Sequence, residues 1–150
     1  MEKRSRFTRS DVTVLKLANG DTLSVRRRLT AGEQRAMFAR MYHTVNGSLK
    51  VNTLQVRMAT CVAYLLDWNL TDDDGQLVEI RGMAPDDLAV VLDSLTPEDF
   101  MEVSTAIDTH SEAMDAARTA EKKTEPGVAV SNSTSDSPAV TAGATNGSGT

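Results

Sequence analysis

Between Asp11 and Arg28 apolar and polar positions alternate in two short runs that flank Asn19-Gly20. Period-two alternation around an Asn-Gly pair predicts a β-hairpin with a two-residue type I′ turn, which needs positive φ at both central residues. That turn sets Val14 opposite Val25 and Lys16 opposite Leu23, so Val12, Val14, Leu23 and Val25 share one face. Leu15 and Leu17 then point the other way with Thr22 and Ser24, and more structure must pack on the hairpin to stabilise it. From Leu29 the period becomes helical. Thr30 and Glu33 have the spacing of a capping box, and Met37, Phe38, Met41, Tyr42 and Val45 fall on one stripe until Asn46-Gly47-Ser48 ends the helix. A second helix is expected from about Asn52 to Leu66, with Leu54, Met58, Cys61, Val62 and Leu65 on its buried side. Asn69 to Ile80 reads as a short strand, an acidic turn and another short strand. Pro85 opens a short helix through Leu95, with Leu88, Val91, Leu92 and Leu95 inward and Asp86 and Asp87 in the first turn, where the helix dipole favours them.

The last helix begins at the capping run Thr96-Pro97-Glu98-Asp99 and extends to Lys123, roughly 40 Å at about 1.5 Å per residue. Phe100, Val103, Ile107, His110, Met114 and Ala117 recur along it at alternating spacings of three and four, which makes a seam. Past His110 this seam is rich in alanine and poor in large apolar residues, so it either protrudes or docks against a partner helix. The stretch Cys61 to Leu70 holds the single tryptophan and the single cysteine of the 150-residue chain. Trp68 buries the most surface of any side chain, which makes it the expected core anchor where two layers meet.

Composition adds boundaries to this pattern. Met1 to Ser10 has four basic residues and no periodicity and is expected to be a mobile basic arm. The run from Thr124 to Thr150 lacks aromatics, leucine and isoleucine and is expected to be a disordered Ser/Thr/Gly/Ala-rich tail. The expected class is α+β and mostly helical: an N-terminal β-hairpin and about four helices, including the long C-terminal one, in a small domain over 11–123. No apolar run approaches the roughly 18 residues of a membrane span, and the basic start leads into no apolar segment of a signal peptide. One cysteine excludes an internal disulfide, and Cys61 suits a small buried hydrophobe in a reducing cytoplasm.

The net charge of −5 is unevenly spread. Residues 1–66 carry twelve Lys/Arg against four Asp/Glu, and residues 67–123 carry four against fifteen. Such polarity draws the two halves together within the fold or offers two faces to partners or copies of the same chain. Arg26-Arg27-Arg28 beside the basic arm is the best nucleic-acid signal, but no broad basic face or aromatic interleaving accompanies it, and strand-end charges facing the acidic half are the favoured reading. Asp72-Asp73-Asp74-Gly75 fails as a calcium loop in both registers, because the glycine or the closing glutamate is misplaced. His43 lacks a second ligand nearby, and His110 reads as a polar residue at the core edge. Asn132-Ser133-Thr134 and Asn146-Gly147-Ser148 are chance sequons without a secretory signal. No phosphate loop, metal-ligand pair or nucleophile with a base emerges, so the expectation is a non-enzymatic protein without cofactor or metal.

Four segments in order resemble tail assembly chaperones of long-tailed, noncontractile bacteriophages. They are the capped start Leu29 to Glu33, the run Trp68 to Asp72 with its glycine turn, the helix start Leu95 to Phe100, and Ala106 to Ala113. The resemblance covers about Val14 to Lys123. It implies a protein of the host bacterial cytoplasm that binds the phage tape measure protein, keeps it soluble, recruits tail-tube subunits and leaves before the tail is complete. It also implies a longer product made by ribosomal frameshifting, for which Glu121-Lys122-Lys123 is a fitting position, and it allows self-association. A chaperone of this kind needs several modest apolar surfaces. Met114 and Ala117 on the last helix are the first partner-binding candidates, and Phe38 and Met41 the second, since methionine suits surfaces that accommodate varied partners. Two alternatives stand beside it: a structural tail or connector component of the virion, and a small nucleic-acid-binding regulator.

Overall fold

A computed structural model describes Phe7 and residues 11–123. The arm over 1–10, apart from an exposed Phe7, and the tail from 124 lie outside the described residues. The order is β1 (Val12–Lys16), β2 (Thr22–Arg26), α1 (Ala31–Met41), β3 (Tyr42–Val45), β4 (Ser48–Val51), α2 (Thr53–Tyr64), β5 (Leu65–Trp68), α3 (Pro85–Asp93) and α4 (Pro97–Lys123). The class is mixed α+β, with a leading hairpin and four helices among the described residues, the last of them long. One compact unit ends at Ala117; the described part of the next, residues 118–123, is exposed helix.

The first hairpin forms, in a register one residue away from the expected one. Val14 pairs with Ser24 and Leu15 with Leu23, and Lys16 with Thr22. The turn is the reason. The Leu17 amide donates to the Asp21 carbonyl at 2.8 Å and the Gly20 amide to the Leu17 carbonyl at 3.0 Å, leaving three loop residues in place of two. Only Gly20 has positive φ, +93°, as in a type I turn closed by a left-handed glycine. Asn19 serves instead as an Asx cap, accepting from the Asp21 amide at 3.0 Å. The slip separates the apolar residues by face: Leu23 and Val25 are fully buried beside Leu15, whereas Val12 and Val14 are 56% and 59% exposed.

β2 is the centre of a three-stranded antiparallel sheet, β1-β2-β5. β5 lies inside the stretch expected to end the second helix and lead out of it, and its register contains a bulge: Ser24 pairs with Asp67 and Val25 with Leu65. Leu66 is the extra residue. It lets Leu65 and Trp68, three apart and on opposite faces of a regular strand, both point into the core beside Val25 and Leu23. Onto this face pack Cys61, Val62 and Tyr64 from α2, Leu88 and Leu92 from α3, Val103 and Ile107 from α4, and Ile80. Trp68 is 5% exposed and donates its indole N–H to the Val78 carbonyl at 2.7 Å.

α1 starts as its sequence requires. Thr30 Oγ1 accepts from the Glu33 amide and Glu33 Oε1 accepts from the Thr30 amide, a complete capping box. It ends four residues earlier than expected, at Met41, because Tyr42 to Val51 fold into a second antiparallel hairpin, β3–β4. Asn46 and Gly47, with φ of +51° and +80°, form its two-residue turn. α2 starts near Asn52 as expected and stops at Tyr64, and Leu54, placed on its buried side from sequence, is 88% exposed. α3 stops at Asp93, short of Leu95. Asp72 shapes the turn before Ile80 by accepting from the Asp74 and Gln76 amides, both at 2.9 Å. Thr96 caps α4 by accepting from the Asp99 amide at 3.1 Å, and α4 spans Pro97–Lys123.

Candidate interaction surface

α2 separates the two pairs of residues singled out from sequence. At about 100° per residue, Arg57, Cys61 and Tyr64 lie on one side of it and Ala59, Val62 and Ala63 on the other. The first side meets α4: Arg57 donates to Ser104 Oγ at 3.2 Å and faces Asp108 at 3.7 Å, and the Tyr64 ring is edge-on to His110. The second side meets α1, where Ala36 and Met37 join Ala59, Val62 and Ala63 around a cavity of about 100 Å³. Phe38 and Met41 on α1 therefore do not share a surface with Met114 and Ala117 on α4. Met114 and Met41 are half-buried, while Phe38 and Ala117 are exposed.

The polar interior is structural. Ser104 is fully buried and His110 is 6% exposed, its Nε2–H donating to the Arg26 carbonyl at 3.0 Å. His110 thus sits inside the core and ties α4 to β2. Burial pushes the Cys61 thiol up to about 12, with the Asp108 charge adding to the shift and Arg57 opposing it. Burial likewise raises the Asp108 carboxyl, against the pull of Arg57. Neither environment activates a nucleophile. Among the described residues no group of three His, Cys, Asp or Glu could hold a metal ion, and no helix is long and apolar enough to cross a membrane.

Two arginines of the triple, Arg26 and Arg27, have ion-pair partners in the first half of the chain, away from the acidic half that the sequence suggested. Arg26 is ion-paired with Glu33 and donates to the Ala63 carbonyl at 3.2 Å, and Arg27 faces Asp11 at 3.9 Å. Arg26 also lines the cavity between α1 and α2 together with Arg40, which is ion-paired with Asp86. Both cations there are already neutralised.

The open apolar surface is at the β3–β4 ribbon, which sequence reading did not find. Tyr42 pairs with Val51 and Thr44 with Leu49, so these four side chains share one ribbon face. Phe38, one helical turn before Tyr42, meets its ring edge-on at 6.4 Å. Phe38, Tyr42, Leu49 and Val51 are 43%, 41%, 69% and 49% exposed. The signal was present in His43-Thr44-Val45 and Ser48-Leu49-Lys50-Val51, two β-prone runs joined by Asn-Gly. No protein-family model, curated protein or solved structure matches this chain.

Proposed function

We propose that this chain is a non-enzymatic tail assembly chaperone that binds the phage tape measure protein in the host bacterial cytoplasm, keeps it soluble, recruits tail-tube subunits and is absent from the finished virion. The observation that supports the reading is the placement of apolar surface. A closed core leaves Phe38, Tyr42, Leu49 and Val51 in water on one contiguous face, with Leu54, Val90 and Met101 exposed elsewhere. Contiguous exposed apolar residues mark protein–protein contact, and several such places suit a protein that coats a long aggregation-prone client. The identity of that client comes from the resemblance at the capped helix starts and the Trp68 to Asp72 run.

The test is co-expression of the full chain with the tape measure protein of the same genome. The expected outcome is a tape measure protein that moves from the insoluble to the soluble fraction and co-purifies with this chain, together with purified virions that lack the chain. A tape measure protein that stays insoluble, alongside virions that retain the chain, replaces this reading with a structural tail component.

A further inference from the structure

The ribbon face has a charge environment as well as an apolar one. Between Gln34 and Leu66 the sequence contains no carboxylate, and its four cations are Arg35, Arg40, Lys50 and Arg57. Arg40 and Arg57 face Asp86 and Asp108, whereas Arg35 and Lys50 are exposed and have no carboxylate partner among the described residues. Arg35, Phe38 and Tyr42 follow each other at spacings of three and four, so Arg35 continues the aromatic strip along α1. Lys50 lies between Leu49 and Val51 on β4, its long side chain at the ribbon's back beside His43. The strip therefore runs from Arg35 through Phe38 and Tyr42 to Val51 and Leu49, with Lys50 behind it on the opposite ribbon face and no carboxylate among its residues.

We infer that this strip is the docking site for one amphipathic helix of the partner, bearing carboxylates beside its apolar stripe. The inference rests on the chaperone reading, in which the client is long and helical. Size and charge select this occupant. Seven residues of helix and two of strand make the strip about 17 Å long, which matches three helical turns of about 5.4 Å. A helix about 10 Å across covers the face of a two-stranded ribbon, whereas a strand added to a ribbon edge leaves that face in water. A second copy seated face to face would bring the Arg35 of both copies into one interface with no carboxylate among the strip residues of either, an unfavourable juxtaposition.

The experiment compares the full-length chain with Leu49→Asp, Arg35→Glu and Val14→Asp, each co-expressed with the tape measure protein of the same genome. All three sites are exposed, and Val14 is the control apolar residue on the other sheet. Melting curves establish that each variant folds, and Arg35→Glu carries the test if Leu49→Asp does not. The expected result is that L49D and R35E each weaken client binding about tenfold or more, while V14D binds as the parent does. If the parent holds the client and L49D and R35E hold it equally well, the docking site is overturned and the chaperone reading stands. A parent that fails to hold the client overturns both. Light scattering supplies the remaining outcome: a parent that self-associates through Leu49 with client binding untouched assigns the face to a second copy and overturns the inference.

Discussion

Trp68 and Cys61 lie within one short stretch, and each is bound by different physics. The indole ring closes the core while its N–H reaches the Val78 carbonyl, so one side chain fastens the sheet to the segment after the acidic turn. Trp68→Phe keeps an aromatic ring but removes that donor and part of the packed volume. The expected loss is about 2–3 kcal/mol, read from the shift in denaturant midpoint. Cys61 is fully buried, and its thiol is pushed up to about 12 from an ordinary 9.0. Because the folded state holds the proton more tightly, the associated stability is complete below pH 9 and is lost as the pH climbs toward 12. A Cys61→Ser variant is expected to show a shallower loss of stability over that alkaline window, and the native thiol to react with a thiol reagent only as the chain unfolds. Burial of Trp68 could be inferred from its size alone. That His110 is buried could not, because only the fold brings the Arg26 carbonyl to its ring.

The two Asn-Gly pairs show how an element is decided by its neighbours. Both satisfy the sequence rule for a tight turn, yet Asn19-Gly20 closes a three-residue loop and Asn46-Gly47 the two-residue one. In the first hairpin, pairing of β2 with β5 and burial of Leu23 and Val25 select the register, and the turn adapts to it. In the second, nothing in a stripe of Met37, Phe38, Met41, Tyr42 and Val45 announces that the helix stops at Met41. The stop comes when the Met41 carbonyl accepts from the Asn52 amide at 2.7 Å, closing the ribbon. Gly47→Ala forces an alanine into positive φ at a cost of about 1–2 kcal/mol. Since the ribbon is exposed, the expected consequence is local: amide exchange over Tyr42–Val51 accelerates while core amides in β2 and α2 hold their protection.

Across the molecule, the basic first half and acidic second half meet at Arg40–Asp86, Arg57–Asp108 and the Ala18 amide on Glu102 at 2.9 Å. Single ion pairs of this exposure contribute little, so most of the charge asymmetry remains available to partners. The frameshifting implied by the resemblance makes a whole-gene prediction: sequencing is expected to find a seven-base slippery run in the codons for Glu121 to Lys123, and codons without one remove that part of the reading. Local signals in the sequence sufficed for the capped starts of α1 and α4, the proline start of α3, the acidic turn, the leading hairpin and the class, because caps, glycine turns and a helical apolar period act within a few residues. Register and the length of α1 were decided only in three dimensions, as were the bulge that turns Leu65 and Trp68 inward and the open ribbon face. Each depends on which distant backbone completes a hydrogen bond or covers a side chain. The same apolar letters at Phe38 and Val103 thus became surface and core, for among the described residues the one is left open on the ribbon side and the other is enclosed by the core of sheet and helices.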